Sequence, residues 1–303
     1  MSNKEKISGN IFHIEVVNWL RAQKNHPWEV SVSPHYTDAV TNTPRELDII
    51  AETLVARSYL PGAQHIRIRL LIECKFLPEK KQVDFWFDRV RDLVHREIVF
   101  ERTGLNYMDT YRNLDLELGG QNLPCQVSYN RTRPYVAVLD DNNHSSAKNS
   151  IHKGLMSVLH AHLDDSRGDS SLPAIFNNVD TQRAENLFTV SIPILLLRNK
   201  GDIRGATFDD PTDLNNENLK KKIHNGGFHY LLNYKYKKND ISKKETLYVD
   251  VIDFDTGFEE YIRSLLNDGE ALLGFHITKS FHNRVHNSGG SIGEEANFDP
   301  YGI

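Results

Sequence analysis

Two periods alternate along the chain: apolar residues recur every three to four positions in some stretches and every second position in others, so helices and strands are interleaved. Residues 11–23 place Ile11, Ile14, Val17 or Asn18, and Leu20 at helical spacing, behind a start supplied by Gly9 and Asn10. Residues 28–32 alternate as a short strand, residues 34–44 read as loop, and residues 46–55 form an apolar strand interrupted by Asp48 and Glu52. A turn over residues 59–64, containing Pro61-Gly62, leads into the clearest strand of the protein, residues 66–76 (IRIRLLIECKF). Two strands joined by one turn predict a hairpin.

Downstream, residues 83–102 read as a helix through Phe85, Val94 and Ile98, and residues 135–139 as a short buried strand. Residues 145–163 carry the helical spacing Ile151, Leu155, Val158, Leu159 and Leu163. Residues 188–197 (FTVSIPILLL) read as a strand whose Pro193 favours an edge or a bulge. Residues 228–236 and 246–252 alternate as strands, residues 257–266 suit a helix and residues 272–277 a last strand. Past Asn283 the sequence turns to Gly, Ser, Asn and acids, the composition of a flexible tail. No repeat of 20 to 50 residues is apparent. The expected organisation is α/β: a single domain over residues 1–283, with a core at about 8–165, additional strands and a helix over 185–282, and a tail over 284–303.

Composition narrows the class. At 303 residues with 39% hydrophobic and 25% charged side chains, the chain can bury a sizeable core, which excludes disordered, collagen-like and coiled-coil classes. No apolar run approaches the length of a membrane helix and the first ten residues hold no secretory signal, so the expected location is cytoplasmic, without membrane contact. Two cysteines, Cys74 and Cys125, lie far apart and predict neither a disulfide framework nor a zinc-thiolate site. The net charge of −5 means that any contact with nucleic acid relies on a local basic patch.

Candidate chemistry sits on the strand 66–76. Alternation sends Glu73 and Lys75 to one face while Ile72, Cys74 and Phe76 point to the other. Charges that break an apolar strand are costly unless paired or exposed. Asp48 breaks an equally apolar run on the preceding strand, and pairing of the two strands lets it lie beside Glu73. Two neighbouring carboxylates repel, and a hard divalent cation relieves that repulsion by taking both as ligands; magnesium is expected, with manganese as an alternative. A lysine on the same face can orient water or offset charge on a phosphoryl oxygen. The ordinary alternative is a surface salt bridge on a half-exposed sheet.

Glu15 on the first helix, Asp48 in Arg45-Glu46-Leu47-Asp48 and Glu73-Cys74-Lys75 at a strand end resemble the PD-(D/E)xK nuclease superfamily, the restriction-endonuclease-like fold. The resemblance implies a central mixed sheet flanked by helices, a cation held by Asp48, Glu73 and the backbone carbonyl of Cys74, water activation by Lys75, and a supporting acid at Glu15. No proline directly precedes Asp48; Pro44 lies four residues earlier. The strand 135–139 and the following helix also resemble the next elements of such nucleases. The function implied is a metal-dependent DNA endonuclease, with antiphage defence and a homodimer or larger defence complex as family habits. An RNA-cleaving effector and a non-cleaving nucleic-acid-binding module of the same fold are the alternatives, since the catalytic set touches only phosphate.

Other motifs carry less. His282 and His286 stand at i, i+4 without an acid in HExxH form, and His160 and His162 face different directions on a helix, so both pairs read as solvated or packing histidines. Gly289 to Gly293 matches GxSxG but lacks the strand, helix and later histidine that a nucleophile elbow needs. Lysines 220–222 and the segment 234–244 (YKYKKNDISKK) form a basic, aromatic patch, most simply a lysine-rich hairpin turn.

Overall fold

The computed structural model describes residues 3–38, 40–56, 63–77, 82–88, 91–95, 98–102, 108–111, 126–131, 135–139, 144–165, 172–173, 184–199, 203–208, 224–225, 228–238 and 241–274. The elements run α1 (Asn3–Arg21), β1 (Glu29–Val32), β2 (His35–Thr37), β3 (Pro44–Glu46), β4 (Ile49–Ala56) and β5 (Ala63–Leu77). They continue through β6 (Gln82–Asp88), β7 (Arg91–His95), β8 (Ile98–Arg102), β9 (Met108–Tyr111), β10 (Gln126–Arg131), β11 (Tyr135–Leu139) and α2 (His144–Asp165). Last come β12 (Ala184–Asn199), β13 (Ile203–Phe208), β14 (His224–Asn225), β15 (Phe228–Lys238), β16 (Ile241–Asp253) and α3 (Phe258–Gly274).

The architecture is α/β with a mixed sheet flanked by helices. Along the main path the strands lie in the order β1-β4-β5-β12-β16-β15-β10-β7, with β8 and β9 attached beside β12. β1, β4 and β5 form an antiparallel meander, whereas β5, β12 and β16 run parallel at the centre. Central parallel strands are covered on both faces, which is why residues 188–197 are a near-continuous apolar run. Alternation sorts β5 between two cores. Ile68, Leu70, Ile72 and Cys74 join Phe12, Val16, Val17 and Leu20 of α1 and Phe258, Ile262 and Leu265 of α3. Leu71 and Leu77 join Ile151, Leu155, Val158 and Leu159 of α2 on the opposite face. Each fully buried Leu or Ile contributes about 1.5–3 kcal/mol, so the two cores fix the register of β5.

Several expectations need correction. The inward stripe of α1 is Phe12, Val16, Val17 and Leu20, while Ile11 and Ile14 are 50% and 58% exposed, and the helix already includes Gly9 and Asn10. Within the expected loop 34–44, β2 and β3 pair as a small hairpin. Residues 83–102 hold β6, β7 and β8, not a helix; Val83 and Phe85 lie in β6 with aromatic and charged neighbours, a strand pattern. Pro193 lies in the central β12. On one flank that strand pairs with β8 up to Val190 and with β16 from Ile194, so the proline falls where that flank has no ladder. β11 belongs to a separate sheet with β6, β13 and β14, and the strand that extends the β5 ladder is β12. α3 runs through Gly274, over the start of the expected strand 272–277. The turn at residues 59–62, the tail, His282, His286 and the GxSxG segment lie outside the described residues.

The hairpin of β4 and β5 is formed as expected, as are α2 and the antiparallel pair β15–β16. Asp253 holds the turn between β16 and α3, its Oδ1 accepting the N–H groups of Asp255 and Thr256 at 2.9 and 3.1 Å, and Glu259 and Glu260 sit in the first turn of α3, where negative charge is favoured. Among the described residues no helix is long and apolar enough to cross a membrane.

Candidate functional site

The β4–β5 ladder ends at Ile49 opposite Ile72, and Asp48 is the next residue outward. Its backbone carbonyl accepts the Ser33 N–H at 2.9 Å, and the Leu47 N–H donates to Pro34 at 3.0 Å, so the chain entering β4 is anchored to the segment after β1. Ser33 takes a left-handed φ of 53° to make that turn. The Asp48 side chain then continues the ladder: Oδ2 accepts the backbone N–H of Cys74 at 2.7 Å. In an extended strand the N–H and C=O of one residue leave on the same edge, so the Cys74 carbonyl also faces the Asp48 side.

Glu73 and Lys75 share the α2 face of β5. Lys75 Nζ lies 2.5 Å from Glu73 Oε1, and Ser157 of α2 donates to Glu73 Oε2 at 3.1 Å. His13 of α1 brings Nε2 to 3.3 Å from Asp48 Oδ2. The side chains of His13, Asp48 and Lys75 are 25%, 18% and 20% exposed, so the cluster opens to solvent at the rim of the sheet while Glu73 forms its floor.

The charges are interdependent. Burial, reinforced by the charge of Asp48, pushes the Glu73 carboxyl up to about 7 despite Lys75 and Ser157. Burial also acts to raise Asp48, but His13, Lys75 and the Cys74 N–H more than offset it and hold its carboxyl below the usual range. Burial acts to lower Lys75, yet the two acids outweigh it and keep the ammonium charged. The hydrogen bond to Asp48 raises the His13 imidazole above its ordinary value.

The shift at Glu73 has a consequence for stability. Between the ordinary 4.5 and about 7 the folded protein holds a proton that the unfolded chain has released, so stability falls as pH rises through this window. Gln reproduces the protonated carboxyl. Without divalent cations, Glu73→Gln is expected to be more stable than the wild type by on the order of 2–3 kcal/mol at pH 8, with the gap closing by about pH 4. Urea denaturation at the two pH values checks this, and an equal gap at both contradicts it.

Of the residues singled out in the sequence, Asp48, Glu73 and Lys75 converge and Glu15 joins a different group. Glu15 pairs with Arg198 of β12, whose guanidinium also bonds Asp255 and lies 5.0 and 4.6 Å from the ring centroids of Phe12 and Phe254. Residues 13 and 15 are about 200° apart around a helix, so only one of them can reach Asp48. His13 does. The sequence signal for it was present: positions 13, 16, 17 and 20 are one helical stripe, and three of them are buried and apolar.

The donor set suits a hard cation. Asp48 and Glu73 offer carboxylate oxygens, and the charge of Asp48 adds to burial in raising Glu73. The ligand atoms of His13, Asp48 and Cys74 also lie within 4.8 Å of one another, a set suggestive of a softer metal. The thiol argues against that: burial, with the two acids, pushes it well above its ordinary value, and Cys74 sits in the α1–α3 core. His160, buried on α2, pairs with Asp38 at 2.7 Å and belongs to a structural contact; His162 is buried nearby. Comparison with family models, with curated proteins and with solved structures yields no match.

Proposed function

We propose that the chain is a divalent-cation-dependent nuclease that hydrolyses phosphodiester bonds, with DNA as the first substrate class to test, and that it carries a restriction-endonuclease-like core. The observation that supports this reading is the convergence of Asp48, Glu73 and Lys75 at the open end of the β4–β5 hairpin, where the charge of Asp48 adds to burial in raising Glu73 and Lys75 faces both acids. Asp48, Glu73 and the Cys74 carbonyl are the groups that would hold the cation. A magnesium ion held there would supply Lewis acidity and positive charge to offset the negative charge that develops on the phosphate.

The chain's own residues do the rest. Lys75 is held charged by the acids, so it donates hydrogen bonds to a water placed for in-line attack and offsets negative charge gathering on the phosphate. Glu73 titrates at about 7 in the metal-free protein, so it gives up its proton as its carboxylate takes up the cation. His13 steadies Asp48. Water adds to phosphorus, the P–O bond to the leaving sugar breaks, and the proton released from water ends on the leaving oxygen or in solvent.

Labelled duplex DNA, single-stranded DNA and RNA, each incubated with Mg²⁺ or with EDTA, test the reading. Product from at least one substrate with Mg²⁺ and none with EDTA is expected. Salt-sensitive binding of all three without product contradicts hydrolysis and favours the non-cleaving alternative.

A further inference from the structure

Gly154 and Ser157 stand three residues apart on α2, hence on one face, and that face covers the Glu73–Lys75 pair. Ser157 donates to Glu73 Oε2 while Lys75 occupies Oε1, so both carboxylate oxygens are engaged and the plane of the group is set. A methyl group at position 154 would lie 2.8 Å from Lys75 Cε, 3.2 Å from Lys75 Cγ and 3.0 Å from Leu195 Cδ1. Leu195 is fully buried, so the lysine stem runs through a slot that only glycine leaves open. α2 is itself clamped at two successive turns. The Tyr36 hydroxyl donates to the Ser157 carbonyl at 3.1 Å, and His160 pairs with Asp38 at 2.7 Å. Tyr36 and Asp38 belong to the β2–β3 hairpin, the stretch of chain that delivers Asp48.

We propose that α2 is the positioning element of the site: Ser157 orients the Glu73 carboxylate, and Gly154 sets the course of the Lys75 side chain so that its ammonium meets Glu73 instead of turning into solvent. Neither residue touches substrate. The inference deepens the cation-dependent reading and rests on it for the metal-binding and activity arms, while the metal-free lysine signal does not. Because alanine favours a helix over glycine and the clash falls mainly on a flexible stem, Gly154→Ala shifts the lysine instead of unfolding the protein.

The test uses the full chain and begins without metal. In protein labelled with ¹³C-lysine, the ε-methylene signal of Lys75, assigned by its loss in Lys75→Arg, is expected to move in both Gly154→Ala and Ser157→Ala, with thermal midpoints not lowered in the first. Unmoved signals in both overturn the proposal. In calorimetric titration with Mn²⁺, Ser157→Ala is expected to bind about 10- to 100-fold more weakly and Ser157→Thr, which keeps the hydroxyl, to recover most of the loss. Equal affinity in Ser157→Ala and the wild type overturns the role of Ser157. A wild type that cuts no nucleic acid, with Lys75 still displaced in the variants, instead contradicts the hydrolytic reading and supports the positioning role.

Discussion

Lys75→Ala is expected to reduce single-turnover cleavage by about 100- to 1,000-fold or to the assay background, while the protein stays folded. The ammonium is the one cation that contacts Glu73 among the described residues, and its stem lies along α2 with a fifth of its surface in water. Removing it leaves Glu73 with the Ser157 hydroxyl and without a charge partner, so the carboxyl protonates more readily and the fold tolerates the change. Asp48→Asn and Glu73→Gln are expected to be equally inactive for a different reason, loss of a carboxylate ligand. Asn at position 48 can still accept the Cys74 N–H through its side-chain carbonyl, so the hairpin end stays closed. Single-turnover kinetics with circular dichroism separates loss of chemistry from loss of fold. A purified Lys75→Ala that cuts like the wild type contradicts the role given to this residue.

The second large effect concerns stability. Arg69, on the same face of β5 as Glu73, donates to the fully buried Glu52 of β4, pairs with Asp165 at the end of α2 at 3.1 Å and donates to the Pro173 carbonyl at 3.1 Å. Arg67 lies 4.0 Å from Glu52. Buried charges are tolerated because they are matched, and removing one side leaves the other uncompensated. Arg69→Ala is therefore expected to destabilise the protein by about 3–5 kcal/mol, and Arg69→Met combined with Glu52→Gln to recover part of that loss. Equilibrium urea denaturation measures both. A loss below about 1 kcal/mol for Arg69→Ala places the network among surface ion pairs and contradicts its burial.

The parts of the fold legible in the sequence are those where one period dominates. β5 alternates over Ile66-Arg67-Ile68-Arg69 and again over Ile72-Glu73-Cys74-Lys75-Phe76, so the shared direction of Glu73 and Lys75 was readable, and the paired hairpin brought Asp48 alongside. α2 was legible because its apolar stripe is unbroken. β6, β7 and β8 were misread because charged residues scattered among aromatics mimic an amphipathic helix when a strand interior is short. Pro193 misled because a proline excludes a ladder only on the flank its N–H would face, and partner switching between β8 and β16 is a property of the whole sheet. Glu15 and His13 turn on helical phase: counting Ile11 and Ile14 as inward rotates α1 and hides the histidine. Gly154 and Ser157 gave no local signal, since their relation to Lys75 and Glu73 exists only after α2 is laid across the sheet.

Calorimetric titration of the metal-free protein with Mn²⁺ near pH 7 asks most directly whether these acids share an ion. The account predicts saturable binding in the wild type, accompanied by release of a fraction of a proton because Glu73 is half-protonated at about that pH, and binding weakened by at least about tenfold in both Asp48→Asn and Glu73→Gln. Equal affinity in all three proteins, or a wild type that takes up no ion at millimolar concentration, contradicts it.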